Sequence, residues 1–184
     1  MSEAAIIKAC QQGDSEQFTL LYDKYVSAIY KFVYYRVSHR EVAEDLTSQI
    51  WLKVLDRLDQ YKIKNSSFSA WLYRIARNAV IDYYRTSRQE FDISTMELSS
   101  KEDLQREAEI KDSLNRVQKY LQELPDDMRD IVIMRLWDQL SYEEIAGIMD
   151  KSEASCKMMM SRALQKIRAQ GLLVLLFISL LLNN

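Results

Sequence analysis

The sequence predicts an all-α protein: two small helical domains joined by a flexible acidic linker, the second domain containing a helix-turn-helix. Three observations carry that expectation. The 184 residues hold only 3 Gly and 1 Pro, too few turn-formers for hairpins or a sandwich, while Leu, Ile, Ala, Glu, Lys, Arg and Gln favour helices. Apolar residues recur at i, i+3, i+4 through both halves of the chain. Composition also changes after Arg88: Gln89 to Lys111 carries Glu90, Asp92, Glu97, Glu102, Asp103, Glu107 and Glu109, with no sustained apolar stripe before Leu104. About twenty residues of such low hydrophobicity bury too little surface to order themselves, so the stretch reads as a tether. The expected divisions are 1–88, a linker at 89–110, a second domain at 111–170 and an apolar tail at 171–184.

Lys and Arg total 25 against 27 Asp and Glu, a net charge of -2. That average conceals local patches and decides nothing about an anionic partner. Cys10 and Cys156 lie far apart without CxxC spacing, and His39 is the only histidine. This argues against a disulfide framework or a metal site and fits a reducing cytoplasm. The start, MSEAAIIKACQQGD, has no apolar run behind a basic end, so no signal peptide is expected. With no P-loop, no HExxH and no paired nucleophile and histidine, an enzyme has little support, and no cofactor or small-molecule substrate is expected.

Ile6, Ile7 and Ala9 form a first stripe that breaks at Gln12-Gly13-Asp14, where Gly suits a helix end and Asp14 or Ser15 the next cap. Phe18, Leu21, Tyr22, Tyr25, Ile29, Phe32 and Val33 then hold helical spacing through Tyr35, as a core stripe does. From Ser38 to Tyr61, Val42, Leu46, Ile50, Val54 and Leu58 step toward the core, while Glu44, Asp45, Gln49, Trp51 and Leu52 occupy other faces. An exposed Trp beside acids is the composition of an interface anchor. A Trp covered by a neighbouring helix is the plainer alternative, and the residues leave both open.

The run FSAWLYRIARNAVIDYYR, Phe68 to Arg85, organises the first half. On a helix, Trp71, Leu72, Ile75, Ala76, Ala79, Val80 and Tyr83 form the core stripe, and Arg74, Arg77, Asn78 and Arg85 gather opposite. Asp82 is its only acid. The exposed side therefore carries a positive field suited to a phosphate backbone. Trp71, Tyr73, Tyr83 and Tyr84 lie among these cations, the mixture that holds a single strand by stacking bases while charges track its backbone. A solvated basic face is the bland reading. Just before it, the polar YKIKNSSFS offers Ser66 and Ser67 as caps.

In the second half, Leu114, Val117, Tyr120 and Leu121 make one amphipathic helix, Pro125 suits a first helical position, and Asp126 and Asp127 suit the positive helix end that follows. That helix is expected to run through Ile131, Val132, Met134, Arg135 and Leu136 to Trp137. Ser141-Tyr142-Glu143-Glu144 is a capping box, Asp150-Lys151 a tight turn, and Ser152 the cap of a long final helix bearing Lys157, Arg162, Lys166 and Arg168. Two helices joined this way spell a helix-turn-helix. Within the last helix Cys156, Met160, Ala163, Leu164 and Ile167 form the buried stripe, and Ser155, Met158, Met159, Arg162 and Lys166 face outward.

These segments, in this order, resemble the extracytoplasmic-function class of bacterial RNA polymerase sigma factors. FSAWLYRIARNAVIDYYR is similar to the segment that melts the promoter and reads its minus-ten element, AEDLTSQIWLKVL to the helix that docks on core RNA polymerase, and LQELPDDMRDIVIMRLWDQLSYEEIAGIMDKSEASCKMMMSRALQKIR to the domain that reads the minus-thirty-five element. The resemblance implies polymerase docking by Glu44, Asp45, Leu46, Gln49, Trp51 and Leu52. It implies minus-ten contacts by Lys62, Asn65, Trp71, Arg74, Arg77, Asn78 and Arg85, with Lys64 near a loop pocket for a flipped base. It implies minus-thirty-five contacts by Ser141, Ser152, Ser155, Lys157, Met158, Arg162 and Lys166. The partners implied are core RNA polymerase, promoter DNA and a restraining anti-sigma protein.

Three departures qualify this. Ser48-Gln49 stands where the family often has Gln-Glu, removing one negative charge from docking. Asp150 stands where Gly is usual, at a position wanting a positive backbone angle, which Asp tolerates better than most residues. Met158-Met159 stands where Ser-Arg is common, so this helix is expected to read its element more weakly or with an AT bias.

Leu172 to Leu182 is apolar except for Ser179 and too short for a crossing that needs about twenty residues. It reads as a cap or a latch competing with DNA, against a damaged membrane segment. Two rival functions belong to other classes. A free-standing helix-turn-helix regulator would bind duplex DNA without polymerase, and a membrane adaptor would bind lipid through the tail.

Overall fold

The computed structural model describes residues 2–63, 66–90, 117 and 119–169. Residues 91–110 of the expected linker, the first residues of the expected second domain (111–116), Gln118, the tail beyond Ala169, Lys64 and Asn65 lie outside the described residues.

Helix α1 (Glu3–Gln11) begins at Ser2, whose side chain accepts from the Ala5 N–H, and ends at Gly13, where φ is 95° and a side chain would be strained. Asp14 caps α2 (Ser15–Val37) through the Glu16 N–H, as its sequence position suggests. Helix α3 (Arg40–Arg57) closes with a 3-10 turn at Leu58–Gln60, and α4 (Phe68–Glu90) starts where the Ala70 N–H donates to Ser67 Oγ at 3.2 Å. These four helices enclose Ile29, Phe32, Val33, Ile50, Val54, Leu72, Ala76 and Val80, all fully buried.

This packing corrects the expected exposure of Trp51. Its indole is 4% exposed, because α2 crosses α3 and lays Phe18 on it edge-on at 5.8 Å and Tyr22 at 4.9 Å. Leu46 is likewise buried, at 6%. For Trp51 the plainer alternative of a covering helix holds, and Leu46 faces the core as its spacing predicts, so neither offers the docking surface that the resemblance implies. Glu44, Asp45 and Gln49 remain outside, with Leu52 61% exposed.

In the second half, Val117, Tyr120 and Leu121 are buried helical residues. Pro125 does not occupy the first helical position. It is the cap itself, extended at φ -51° and ψ 143°, and α5 follows as Asp126–Val132. The continuous helix expected to reach Trp137 instead widens into a π-helical turn, Ile133–Trp137, which carries the Trp137 ring to 5.3 Å from Tyr35. Helix α6 (Tyr142–Met149) has both halves of the Ser141–Glu144 capping box, and Asp150 takes the left-handed conformation at φ 55°, ψ 50°. The Ser155 N–H donates to Ser152 Oγ as α7 (Glu153–Ala169) begins. Cys156, Met160, Ala163 and Ile167 close the core against α5 and α6.

Ser141→Ala removes the acceptor for the Glu144 N–H, and is expected to lower stability by about 1 kcal/mol. A denaturant midpoint unchanged by this substitution would show that the box contributes nothing.

Candidate nucleic-acid interface

The cationic helix α4 lies between the two domains. Its inner residues pack in the first domain, its basic side lies along α6 of the second, and Arg77 reaches α5 through ion pairs with Asp127 and Asp130. Tyr73, placed among the arginines by the sequence reading, turns inward and is 1% exposed, with Phe32 against its ring at 5.5 Å. Tyr83, Tyr84 and Trp71 are half-buried, Trp71 held by Tyr61 at 5.1 Å and Phe68 at 5.6 Å. The polar face is therefore arginine-led, and its rings border it rather than crown it.

Oxygen atoms of the second domain occupy that face. Arg74 donates from Nη2 to the carbonyl of Gly147. Arg77 donates from Nη2 to Asp127 Oδ1 at 2.8 Å and from Nε to Asp130 Oδ2 at 2.9 Å. At the N-terminal end of α4, Ser67 Oγ donates to Glu144 Oε1 at 2.6 Å, with Ser69 at 3.4 Å. The other Glu144 oxygen closes the capping box, accepting from the Ser141 N–H at 2.9 Å. Burial raises the Glu144 pKa, but hydrogen bonds from Ser67, Ser141 and Ser69 outweigh it and leave the carboxyl below its usual range. Asn78 and Arg85 stay exposed, Arg85 beside Asp82 at 3.1 Å.

A second cation joins this seam from α2. Arg36, with 1% of its side chain exposed, bonds Asp126 Oδ1 at 2.9 Å and places Nε 3.0 Å from Asp130 Oδ1, an ion pair outside hydrogen-bond angles. The carbonyls ending α2 are also taken up across the seam: Gln122 donates to Tyr35 O at 2.9 Å, and Arg129 reaches Arg36 O at 3.4 Å. Arg129 also donates to Leu121 O and Gln122 O, fastening α5 to the helix before it. Arg36, Gln122, Arg129, Asp130 and Asp138 escaped the sequence reading. Of the seam acids only Asp126 and Asp127 left a trace there, and they read equally well as helix-dipole acids.

Asp138 lies against Tyr73 across the same seam, and burial pushes its pKa up to about 7, although the Tyr73 hydroxyl and Lys31 pull it down. The closed chain thus holds this proton where an opened chain, near the ordinary 3.8, has released it. Closure should therefore weaken as pH rises from about 4 to about 7 and level off above. Compactness measured by X-ray scattering is expected to be greater near pH 5 than near pH 8, and Asp138→Asn should reduce that dependence, leaving the part due to Asp130, whose pKa burial also raises.

Of the proposed minus-thirty-five residues, Ser141 borders the seam through its bonds to Glu144, while Ser152 caps α7 and the others lie along that helix. Ser141, Ser152, Lys157, Arg162 and Lys166 are exposed, Ser155 and Met159 are half-buried, and Met158 is 48% exposed. Lys157 pairs with Glu153 at 3.0 Å. Among the described residues there is no group of three or more His, Cys, Asp or Glu placed to hold a metal ion, and no helix long and apolar enough to cross a membrane.

A helix-turn-helix unit packed on the cationic helix of an all-helical partner domain defines a two-part DNA-binding protein. Residues 21–90 match the family model described as Sigma-70 region 2, and residues 114–167 that described as Sigma-70, region 4. The chain is 30% identical over 154 residues to the ECF RNA polymerase sigma factor SigM of Bacillus subtilis, covering 81% of this chain and 91% of that protein. It is 31% identical over 166 residues to the ECF RNA polymerase sigma factor BldN of Streptomyces coelicolor, covering 88% of this chain but 63% of BldN. The chain belongs to the extracytoplasmic-function subfamily of sigma-70 RNA polymerase sigma factors, initiation factors that direct polymerase to promoters. Its fold is also that of the sigma factor RpoE in a complex with the anti-sigma factor NepR from Bartonella quintana, at a TM-score of 0.65 and 24% identity, covering 86% of this chain and 97% of that one.

Proposed function

We propose that the described arrangement is a closed form of the factor, and that it works by docking on core RNA polymerase through Glu44, Asp45, Gln49 and Leu52 before presenting α4 to DNA. One observation carries this: the inward polar groups of α4 already hold carboxylate and carbonyl oxygens, the chemistry they would meet on a phosphate backbone. Minus-ten and minus-thirty-five elements lie roughly 25 base pairs apart, about 85 Å along a duplex. Domains in contact cannot bridge that span. Opening releases Arg74 and Arg77 to join Asn78, Arg85, Lys62, Asn65 and Trp71 on the separated strand. Ser155, Lys157, Met158, Arg162 and Lys166 of α7, with Ser141 and Ser152, take the major groove. The methionine pair favours thymine methyls over guanine there.

The divisions 1–88, 89–110, 111–170 and 171–184 are proposed as functional units, and the factor as a cytoplasmic protein held in check by an anti-sigma partner, as RpoE is found with NepR. Run-off transcription with core polymerase tests the reading. Leu52→Asp places a charge at an exposed apolar docking position, and is expected to weaken polymerase binding by at least about 2 kcal/mol, roughly thirtyfold. Wild-type affinity in this variant would remove α3 from the interface. Promoter-duplex binding by the free chain, undiminished without polymerase, would favour the helix-turn-helix regulator instead.

A further inference from the structure

We propose that Arg36, which lies outside the motifs the sequence analysis singles out, is a further strand-binding cation, hidden in the closed form by the acids that hide Arg77. The inference rests on α4 being the strand-binding helix. Arg36 and Arg77 come from different helices yet grip the two oxygens of one carboxylate, Asp130, at 3.0 and 2.9 Å. The Arg36 guanidinium also lies 5.8 Å from the Tyr84 ring, and the Tyr84 hydroxyl donates to the Arg36 carbonyl at 2.6 Å. Arg36, Ile81, Tyr84 and Arg85 line one side of a cavity of about 490 Å³ between the domains, with Gln122, Asp126 and Arg129 opposite. Removing the second domain would thus leave Arg36, Arg77 and Arg85 around Tyr84 as one cationic surface bordering a ring. That is the pattern by which single strands are held through phosphate pairing and base stacking.

The energetics point the same way. A buried ion pair is seldom better for stability than apolar packing of equal volume, since desolvation offsets most of its Coulomb gain. Arg36 is the most buried cation of the first domain, and its charged partners there are Asp126 and Asp130 of the second. A guanidinium kept at such a seam has a use once the seam parts. Its five donors in a planar fork suit phosphate as well as they suit the two aspartates.

Holoenzyme reconstituted with full-length chain tests this, because the proposed function has the domains apart there, so that closure no longer contributes. Binding of a thymidine oligonucleotide is measured against salt. With Arg36→Gln the slope of log K on log salt is expected to shrink by about 0.7, the loss of one single-strand phosphate contact, and Arg36→Lys should keep it. The slope reads only assembled molecules, so a folding defect would lower amplitude without changing it. An unchanged slope in Arg36→Gln, with a reduced one in Arg85→Ala, would leave Arg36 as a closure residue alone and overturn the inference. No change in either variant would overturn the strand-binding reading of α4 itself.

Discussion

Asp130→Asn is expected to open the free chain. The Asp130 side chain is 1% exposed and faces the guanidiniums of both Arg36 and Arg77. Without its charge those two cations face each other across a buried seam, with only Asp126 and Asp127 at its margin. Removing one member of a buried ion cluster costs about 3–5 kcal/mol, equivalent to a shift of roughly two to four decades between closed and open forms. Scattering or a donor–acceptor pair on the two domains would report the change as a larger radius or separation. A variant as compact as wild type would show that apolar contacts such as Tyr35 on Trp137 hold the domains by themselves.

Replacing Arg74, Arg77 and Arg85 together by Ala should nearly abolish promoter opening by the holoenzyme. Each lost charge-assisted contact is worth about 1.5 kcal/mol or more, so three amount to roughly 4.5 kcal/mol and about two-thousandfold. Permanganate reactivity of thymines in the opened segment gives the readout. The same triple change removes both ion pairs of Arg77 and the Arg74 bond to Gly147, so the free chain should open while the holoenzyme fails. Those opposite movements separate loss of strand contact from simple misfolding, and undiminished opening would end the case for α4.

Much of this molecule was legible in its sequence because the signals were local. Caps at Asp14, Ser67, Ser141 and Ser152 satisfy N–H groups two or three residues away, and left-handed Asp150 ends the helix it immediately follows. The apolar step of α3 was read correctly at Leu46, Ile50 and Val54, and it carries on to Leu58 in the turn that follows. Tyr73 was misread, and Trp51 left open between two readings, for one shared reason. Helical periodicity says which residues share a face, but not how many faces a neighbouring element will cover. A helix crossed by α2 and another clasped by a second domain bury residues that a single stripe leaves outside.

By itself, the sequence determined an all-helical chain, a cationic helix at Phe68 to Arg85 and a helix-turn-helix after Ser141, since each is written in spacings of one to four residues. Tertiary structure alone decided that the helix-turn-helix domain shields that cationic helix. The deciding pairs, Arg77 with Asp130 and Arg36 with Asp126, stand 53 and 90 positions apart. Charges so far apart along a chain carry no period. Only the fold brings them within 3 Å and sets burial, rather than sequence, as the measure of their strength.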